Sequence, residues 1–315
     1  MKLVIYIPAF NEEKHILQVI GTLPKHLEGI ASIQYLVVDD GSRDRTADLA
    51  RAAGAQVVVH SHNRGVGAAF QSAVQFALEN GADLMVGIDA DGQFDPAEIP
   101  ALLRPILDGS ADMVVGSRFT GGIPEYMPRL KYWGNRQVAG LVSTVAGQRF
   151  QDVSCGFRAF SRESLLRLNV FGQFTYTHET ILSLTYQGMR VLEMPITVRY
   201  DPQRKSRVAG SILNYAVQTS KIILRVMLDY RPMRVFGSIA AVLAAIGAGF
   251  VLFMLGHYFL AGSFTPYKSF GFIGLGFLIF GMLVFLTAFI ADMINRIKIT
   301  QDRLLYELKR SRYQK

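Results

Sequence analysis

Two stretches of this chain carry no charged residue, Val235 to Leu260 and Phe270 to Ile290. A helix needs about 20 apolar residues to cross the hydrocarbon core of a bilayer, and each stretch is long enough. Only a short turn separates them, Ala261 to Ser269, with Gly262, Pro266 and a single charge at Lys268. The chain is therefore expected to hold a transmembrane hairpin behind a water-facing globular region. These runs explain why 50% of the residues are hydrophobic and why the mean hydropathy is +0.24. Glycines recur along both (Gly237, Gly247, Gly249, Gly256; Gly271, Gly274, Gly276, Gly281). Small residues let helices approach closely, within the hairpin or between copies of the chain, so the pattern permits a homo-oligomer.

The net charge of +8 is unevenly placed. Residues 1–200 hold 18 Lys+Arg against 20 Asp+Glu, whereas 201–234 and 294–315 each hold seven basic residues against two acidic ones. Basic residues beside membrane spans mark the cytoplasmic face. An integral membrane protein with its globular region and both termini in the cytoplasm is expected, in the inner or plasma membrane if the source is prokaryotic. Each flanking Lys or Arg adds about 1 kcal/mol of attraction to anionic lipid. Nucleic acid, the usual partner of a basic chain, is not expected, because the surplus sits at bilayer ends and the globular region is slightly acidic. Met1-Lys2 runs straight into Leu3 to Ile7, and no signal peptide is expected. A single cysteine, Cys155, rules out an intrachain disulfide and fits a reducing compartment. The chain then divides into a globular domain (1–205), interfacial amphipathic helices (206–234), a transmembrane hairpin (235–293, with spans 235–260 and 270–293) and a basic cytoplasmic C-terminal helix (294–315).

Along the globular domain, strand and helix signals alternate. Strands are expected over Leu3–Ile7, Gln34–Val38, Gln56–His60, Leu84–Ile88 and Met113–Gly116, with a last one over Val191–Tyr200. Helices are expected from Glu12 to His26, Thr46 to Ala53 and up to Glu79. Asp95-Pro96-Ala97-Glu98 reads as a helix start, with Asp95 as its cap. Such alternation predicts an α/β fold, a Rossmann-like and mostly parallel sheet with helices on both faces.

The fourth strand stops abruptly at Asp89-Ala90-Asp91-Gly92-Gln93. Residues i and i+2 of an extended backbone point the same way, so Asp89 and Asp91 can converge on one point. Carboxylates that close repel unless a cation lies between them or they share a proton. Hard oxygen ligands suit Mg2+ or Mn2+, with substrate phosphates and water filling the shell; Gln93 adds a neutral carbonyl oxygen. Three strand ends on one edge carry polar groups: Pro8 to Glu12, Asp39 to Ser42, and Asp89 to Gln93. In open α/β sheets that edge is where ligands bind. A nucleotide fits there, with base and ribose near the first two loops and diphosphate at the metal. The dinucleotide fingerprint G-x-G-x-x-G is missing after the first strand, and so is a P-loop. His60 and His62 lack a third ligand, so no zinc site is expected. The lone Trp133 is expected to pack rather than to serve as a sugar platform.

Pro8-Ala9-Phe10-Asn11-Glu12, Asp39-Asp40-Gly41-Ser42, Asn63-Arg64-Gly65, Asp89-Ala90-Asp91-Gly92-Gln93, Gly116-Ser117-Arg118 and Asp152-Val153-Ser154-Cys155-Gly156-Phe157-Arg158 together resemble glycosyltransferase family 2. More narrowly the chain is similar to the polyprenyl-phosphate glycosyltransferases, including the dolichol-phosphate mannose synthases. The resemblance covers residues 1–230 and implies a GT-A fold. It also implies inverting transfer of a hexose from a UDP- or GDP-sugar to polyprenyl (undecaprenyl or dolichyl) phosphate. Carried onto this sequence, it assigns Pro8, Phe10, Glu12, Asp39 and Asp40 to the nucleotide, with Asp91 shared between nucleotide and metal. Asp89, Asp91 and Gln93 become the metal ligands, and Arg118 and Asp152 the catalytic residues, Arg118 on phosphate and Asp152 facing the sugar or acceptor. Arg118, Arg204, Arg207 and Ser211 would hold the acceptor phosphate, although the family's Arg-x-x-Gly-x-Ser-Lys segment here lacks its lysine after Ser211. Glu179, beside His178, is a weaker acceptor-side candidate, explained equally well as a helix-start carboxylate.

Two other readings compete. A processive polysaccharide synthase would carry Gln-x-x-Arg-Trp and more spans, and the only Trp here is not preceded by Arg. A catalytically silent membrane scaffold would have no need of Asp89, Asp91 and Arg118.

Overall fold

The computed structural model describes residues 1–120, 122–127, 129–169, 176–199 and 231–313, with 217, 220, 221, 224, 225, 227 and 228. It separates into two compact units, Met1–Ile223 with Leu305–Lys315, and Leu224–Leu304.

The first unit is built on a seven-stranded sheet. Its strands are β1 (Lys2–Ala9), β2 (Ser32–Asp39), β3 (Gln56–Val59), β4 (Leu84–Gly87), β5 (Met113–Ser117), β6 (Arg158–Ser161) and β7 (Val191–Pro195), in the order β3-β2-β1-β4-β6-β5-β7. All neighbours are parallel except β6, which runs antiparallel between β4 and β5. Leu3 to Ile7 and Leu84 to Gly87 are buried, as expected of strands covered on both faces. Leu3, Ile5 and Ile7 face a core shared with Ile16 and Ile20 of α1 (Ile16–Thr22) and Leu102 and Leu103 of α4 (Ile99–Leu107). Tyr6, on the opposite face, meets Phe70 of α3 (Val66–Glu79) edge-on, and Phe70 stacks on Tyr176 with centroids 4.0 Å apart. Helices α2 (Thr46–Ala52), α5 (Arg129–Ala146), α6 (Arg162–Arg167) and α7 (Thr177–Tyr186) complete the two layers.

Three expectations are corrected. The first helix covers Ile16–Thr22 and not Glu12 to His26: Glu12 is held in a preceding turn, and Leu23 takes the extended ψ of 144° that a residue before proline favours. Strand β6 was not anticipated, because its four residues begin with a charged Arg158 that burial hides. The last strand ends at Pro195; beyond it Val198 pairs singly with Phe94, and Tyr200 lies outside the described residues.

In the second unit α8 (Pro232–Ala261) and α9 (Lys268–Tyr313) are both long and apolar enough to cross a membrane. Glycines bring them together. A Cβ on Gly247 would lie 2.7 Å from the Gly274 carbonyl oxygen, and one on Gly274 would lie 2.8 Å from that of Gly247. The last turns of α9, Leu305 onward, belong to the first unit, where Tyr306 donates to Glu163 at 3.1 Å and Lys309 to the Leu168 carbonyl at 2.8 Å.

Candidate active site

The C-terminal ends of β1, β2, β4 and β5 deliver the predicted residues to one edge. After β1, Asn11 takes a left-handed φ of 53°, its amide donates to Ser42 Oγ at 2.8 Å and its side-chain oxygen accepts from the Arg43 amide at 2.9 Å. The buried Glu12 receives His15 Nδ1 at 3.1 Å, while its own amide donates to Thr46 Oγ1 at 2.8 Å. Asp39, also buried, accepts from the Ser42 amide at 3.2 Å and from its hydroxyl. Pro8 and Phe10 stay half-buried beside them. Gly41 permits this crossing, since at φ 77° an added Cβ would sit 2.6 Å from the backbone of His62.

Asp40 is turned elsewhere. Its carboxylate accepts from His60 Nδ1 at 2.6 Å and from the amides of Arg64 and Gly65 at 2.9 and 2.7 Å. It holds the loop after β3 in place. His60 Nε2 bonds Ser72 Oγ at 2.9 Å, so both ring nitrogens are engaged within the fold.

The Asp-x-Asp turn follows β4. Asp91 accepts from the Gln93 amide at 3.1 Å, and the Gln93 carbonyl accepts from the Arg199 amide at 2.9 Å, which pins the turn to the segment after β7. Asp95 caps the next turn through the Ala97 amide at 2.9 Å, as its sequence context predicts; Glu98 instead receives the Thr197 amide at 3.0 Å. Asp89 lines a cavity of about 420 Å3 between α1 and this turn, together with Val19, Ile88, Gly92, Phe94 and Arg199. Gly156 lies against it: an added Cβ would come within 3.0 and 3.1 Å of the two Asp89 carboxylate oxygens. Among the described residues no group of three or more His, Cys, Asp or Glu side chains could enclose a metal ion. Asp89 and Asp91, two half-buried carboxylates two residues apart, are hard oxygen ligands of the kind that suits Mg2+ or Mn2+, ions that complete their shells with phosphate oxygens and water.

After β5, Arg118 grips Asp152 with Nε at 2.6 Å, Nη2 at 2.8 Å and its amide at 3.2 Å, and Nη2 also reaches Ser154 Oγ at 2.7 Å. Asp152 is fully buried. Burial by itself would raise its pKa, but the charge and hydrogen bonds of Arg118 outweigh this and hold it below the usual carboxylate range. Asp152, expected to face the sugar or acceptor, is here enclosed by Arg118, which it holds through both carboxylate oxygens. Lys131, in the first turn of α5, was missed by sequence reasoning. Burial lowers its pKa, as does the Arg118 charge, while the Asp91 and Asp152 carboxylates oppose the shift. Its helix is fixed there by Tyr132 edge-on to Phe119 at 5.2 Å, and by Ser154 Oγ donating to Asn135 at 3.4 Å. A lysine two residues ahead of the lone Trp133 was the only sequence signal.

Arg158 is buried completely. It donates to the carbonyls of Cys155 (2.7 Å), Val153 (2.9 Å) and Thr177 (2.6 Å) and to Thr180 Oγ1 (2.9 Å), binding the 153–157 loop to α7. His178 and Glu179 are buried in the first turn of α7. Arg204, Arg207 and Ser211 lie outside the described residues.

A mixed sheet in this order, with Asp-x-Asp at the end of its fourth strand and a clamped arginine after its fifth, defines a GT-A fold. Glucosyl-3-phosphoglycerate synthase from Mycobacterium tuberculosis, solved in complex with Mn2+, UDP-glucose and phosphoglyceric acid, shares it with a TM-score of 0.57 at 22% identity, over 71% of this chain and 79% of that one. The profile of Glycosyl transferase family 2 matches residues 4–168, and the chain belongs to that family. Among curated relatives, glycosyltransferase AglJ of Haloferax volcanii is 28% identical over 303 residues, 96% of each chain. UDP-N-acetylglucosamine–dolichyl-phosphate N-acetylglucosaminyltransferase of Methanococcus voltae is 28% identical over 240 residues, 70% of this chain and 94% of that one.

Proposed function

We propose that this family member moves a hexosyl group from a UDP- or GDP-sugar to polyprenyl phosphate, at the cytoplasmic face of a membrane crossed by α8 and α9. The observation that carries this reading is an Asp-x-Asp turn whose Asp89 lies against Gly156, in the same loop whose Asp152 holds Arg118, in a chain with two membrane-length helices. The name of the Methanococcus relative supplies the donor and acceptor classes, and that of the Mycobacterium structure a divalent metal with a UDP-sugar.

Pro8, Phe10, Glu12 and Asp39 would hold base and ribose, and Asp89, Asp91 and Gln93 the ion. A bound Mg2+ or Mn2+ would stabilise the charge that develops on the departing diphosphate. A phosphate monoester is largely ionised near neutral pH, its second pKa being about 6, so the acceptor needs no strong base. One of its oxygens bonds to the anomeric carbon from the face opposite the diphosphate, whose oxygen leaves with the bonding pair, inverting that centre. Arg118, held by Asp152 and Ser154 through Nε and Nη2, would offer a phosphate the charge of its guanidinium, and Lys131 would add a point charge where two anionic groups must meet. Arg204, Arg207 and Ser211 would complete the acceptor side.

The test incubates the membrane-bound protein with polyprenyl phosphate, divalent metal and radiolabelled UDP- and GDP-sugars in turn, followed by organic extraction. Label enters the organic phase with at least one donor if the reading holds. Failure with every donor, in membranes that carry the folded protein, refutes it.

A further inference from the structure

Trp133 is expected to pack, yet it is 59% exposed. It is also the only tryptophan of the chain. On α5 the buried side, with Asn135, Ala139 and Val142, faces the body of the domain, and Lys131 on its flank reaches the site. Trp133 stands at the middle of the opposite side, with Arg129 one turn before it, Arg136 and Gly140 after it, and Leu141 at its border, all exposed. The loop that feeds this helix adds Ile123 (50% exposed) and Tyr126 (70%). Among the described residues of 1–199, nine large hydrophobic side chains are exposed, and four of them (Ile123, Tyr126, Trp133 and Leu141) fall within this one segment. Residues 122–149 carry four basic groups and one acidic group, in a domain that is otherwise acidic.

We infer that this face of α5, with the loop before it, docks on the headgroup boundary of an anionic bilayer. Tryptophan and tyrosine favour that boundary, with an apolar body in the acyl region and a polar edge in the headgroups. Arginines one turn either side complement anionic phosphates. A helix with one buried face and one aromatic-basic face would otherwise leave its largest side chain in water. The inference rests on the proposed lipid acceptor only for its purpose: the same helix that carries Lys131 into the site would bring the mouth of that site against the surface where a lipid phosphate resides.

The lone tryptophan is its own probe. Full-length protein is reconstituted in vesicles of phosphatidylcholine and phosphatidylglycerol, with and without brominated acyl chains. Trp133 emission is expected to shift to the blue and to be quenched by the brominated lipid, while soluble acrylamide quenches it weakly. A Trp133→Phe/Val59→Trp variant moves the probe to an exposed position of β3 and should be quenched several-fold less. Emission at the wavelength of water-exposed tryptophan, unaffected by brominated lipid, overturns the inference. So does equal quenching at position 59, or a blue shift that persists in detergent and depends on protein concentration, which would mean a second copy covers the face. Transfer activity plays no part in this readout, so its outcome is separable from that of the radiolabel assay.

Discussion

Replacing Asp152 with asparagine separates an anchor for Arg118 from a group that faces the sugar or acceptor. Asp152 Oδ1 accepts from Arg118 Nη2, Ser154 N and Ser154 Oγ, and Oδ2 accepts from Arg118 Nε and N. Whichever oxygen becomes an NH2 group therefore confronts a fixed donor. The substitution also leaves Arg118, whose side chain is only 11% exposed, without its counter-charge. Breaking a buried pair from one side costs about 3–5 kcal/mol. For a domain of this size that is roughly 10 °C in Tm, at about 2–4 °C per kcal/mol. Thermal unfolding in detergent, followed beside the transfer assay, should show Asp152→Asn losing stability and rate together. The double variant Arg118→Met/Asp152→Asn should regain most of the stability and none of the rate, since replacing both charges removes the stranded cation. The pH dependence follows the same sign. A pKa depressed below its unfolded value of about 3.9 gives a contribution present above that pH and lost only as pH falls through the folded value. No limb of the rate profile between about pH 5 and 8 should then belong to Asp152. An Asp152→Asn protein of unchanged Tm with abolished transfer would refute the anchor and return Asp152 to a role facing the sugar or acceptor.

Asp91→Ala should reduce transfer at least about 100-fold at unchanged Tm, as expected when a metal-held charge in a transition state is lost; chelation with EDTA should mimic it, and added Mn2+ should restore the wild type but not the variant. Lys131→Ala removes one charge-assisted contact to phosphate, worth about 1.5–3 kcal/mol, so kcat/KM should fall about 10- to 150-fold, with Lys131→Arg recovering part of the loss. His178, completely buried, has its pKa pushed down to about 3 by burial and by Arg158. Below its unfolded pKa of about 6.5 only the unfolded chain takes the proton, so stability should decline by up to about 1.4 kcal/mol per pH unit on acidification, and His178→Gln should flatten that slope in denaturation curves.

The order β1 to β5 and the polar groups at their ends were legible because uninterrupted apolar runs stop at Asp39, Asp89 and Ser117 with little tertiary help. The hairpin was legible for the same reason, two charge-free runs of membrane length. What stayed hidden was set by contacts distant in sequence. Arg158 reads as a surface residue, and only the carbonyls of Val153, Cys155 and Thr177 make its burial tolerable. Asp152 reads as a chemical group because spacing cannot reveal that Arg118, 34 positions away, encloses it. Lys131 lies in no motif quoted for the family, and its proximity to Asp91 follows from how α5 docks on Phe119 and Ser154.

The antiparallel strand explains why the two halves of the site meet. Arg158, the first residue of β6, pairs with Gly87 at the end of β4 and with Val115 near the end of β5. The 152–157 loop therefore arrives at the edge where β4 releases Asp89 and β5 releases Arg118. There Gly156 closes on the Asp89 carboxylate while Asp152 and Ser154 close on the Arg118 guanidinium. Had β6 run parallel to its neighbours, the same loop would open at the other end of the sheet. Four residues at about 3.3 Å each would put it roughly 13 Å away, leaving Arg118 without its anchor. One reversed strand, anchored by a buried arginine, thus couples the carboxylates suited to a metal to the cation suited to a phosphate.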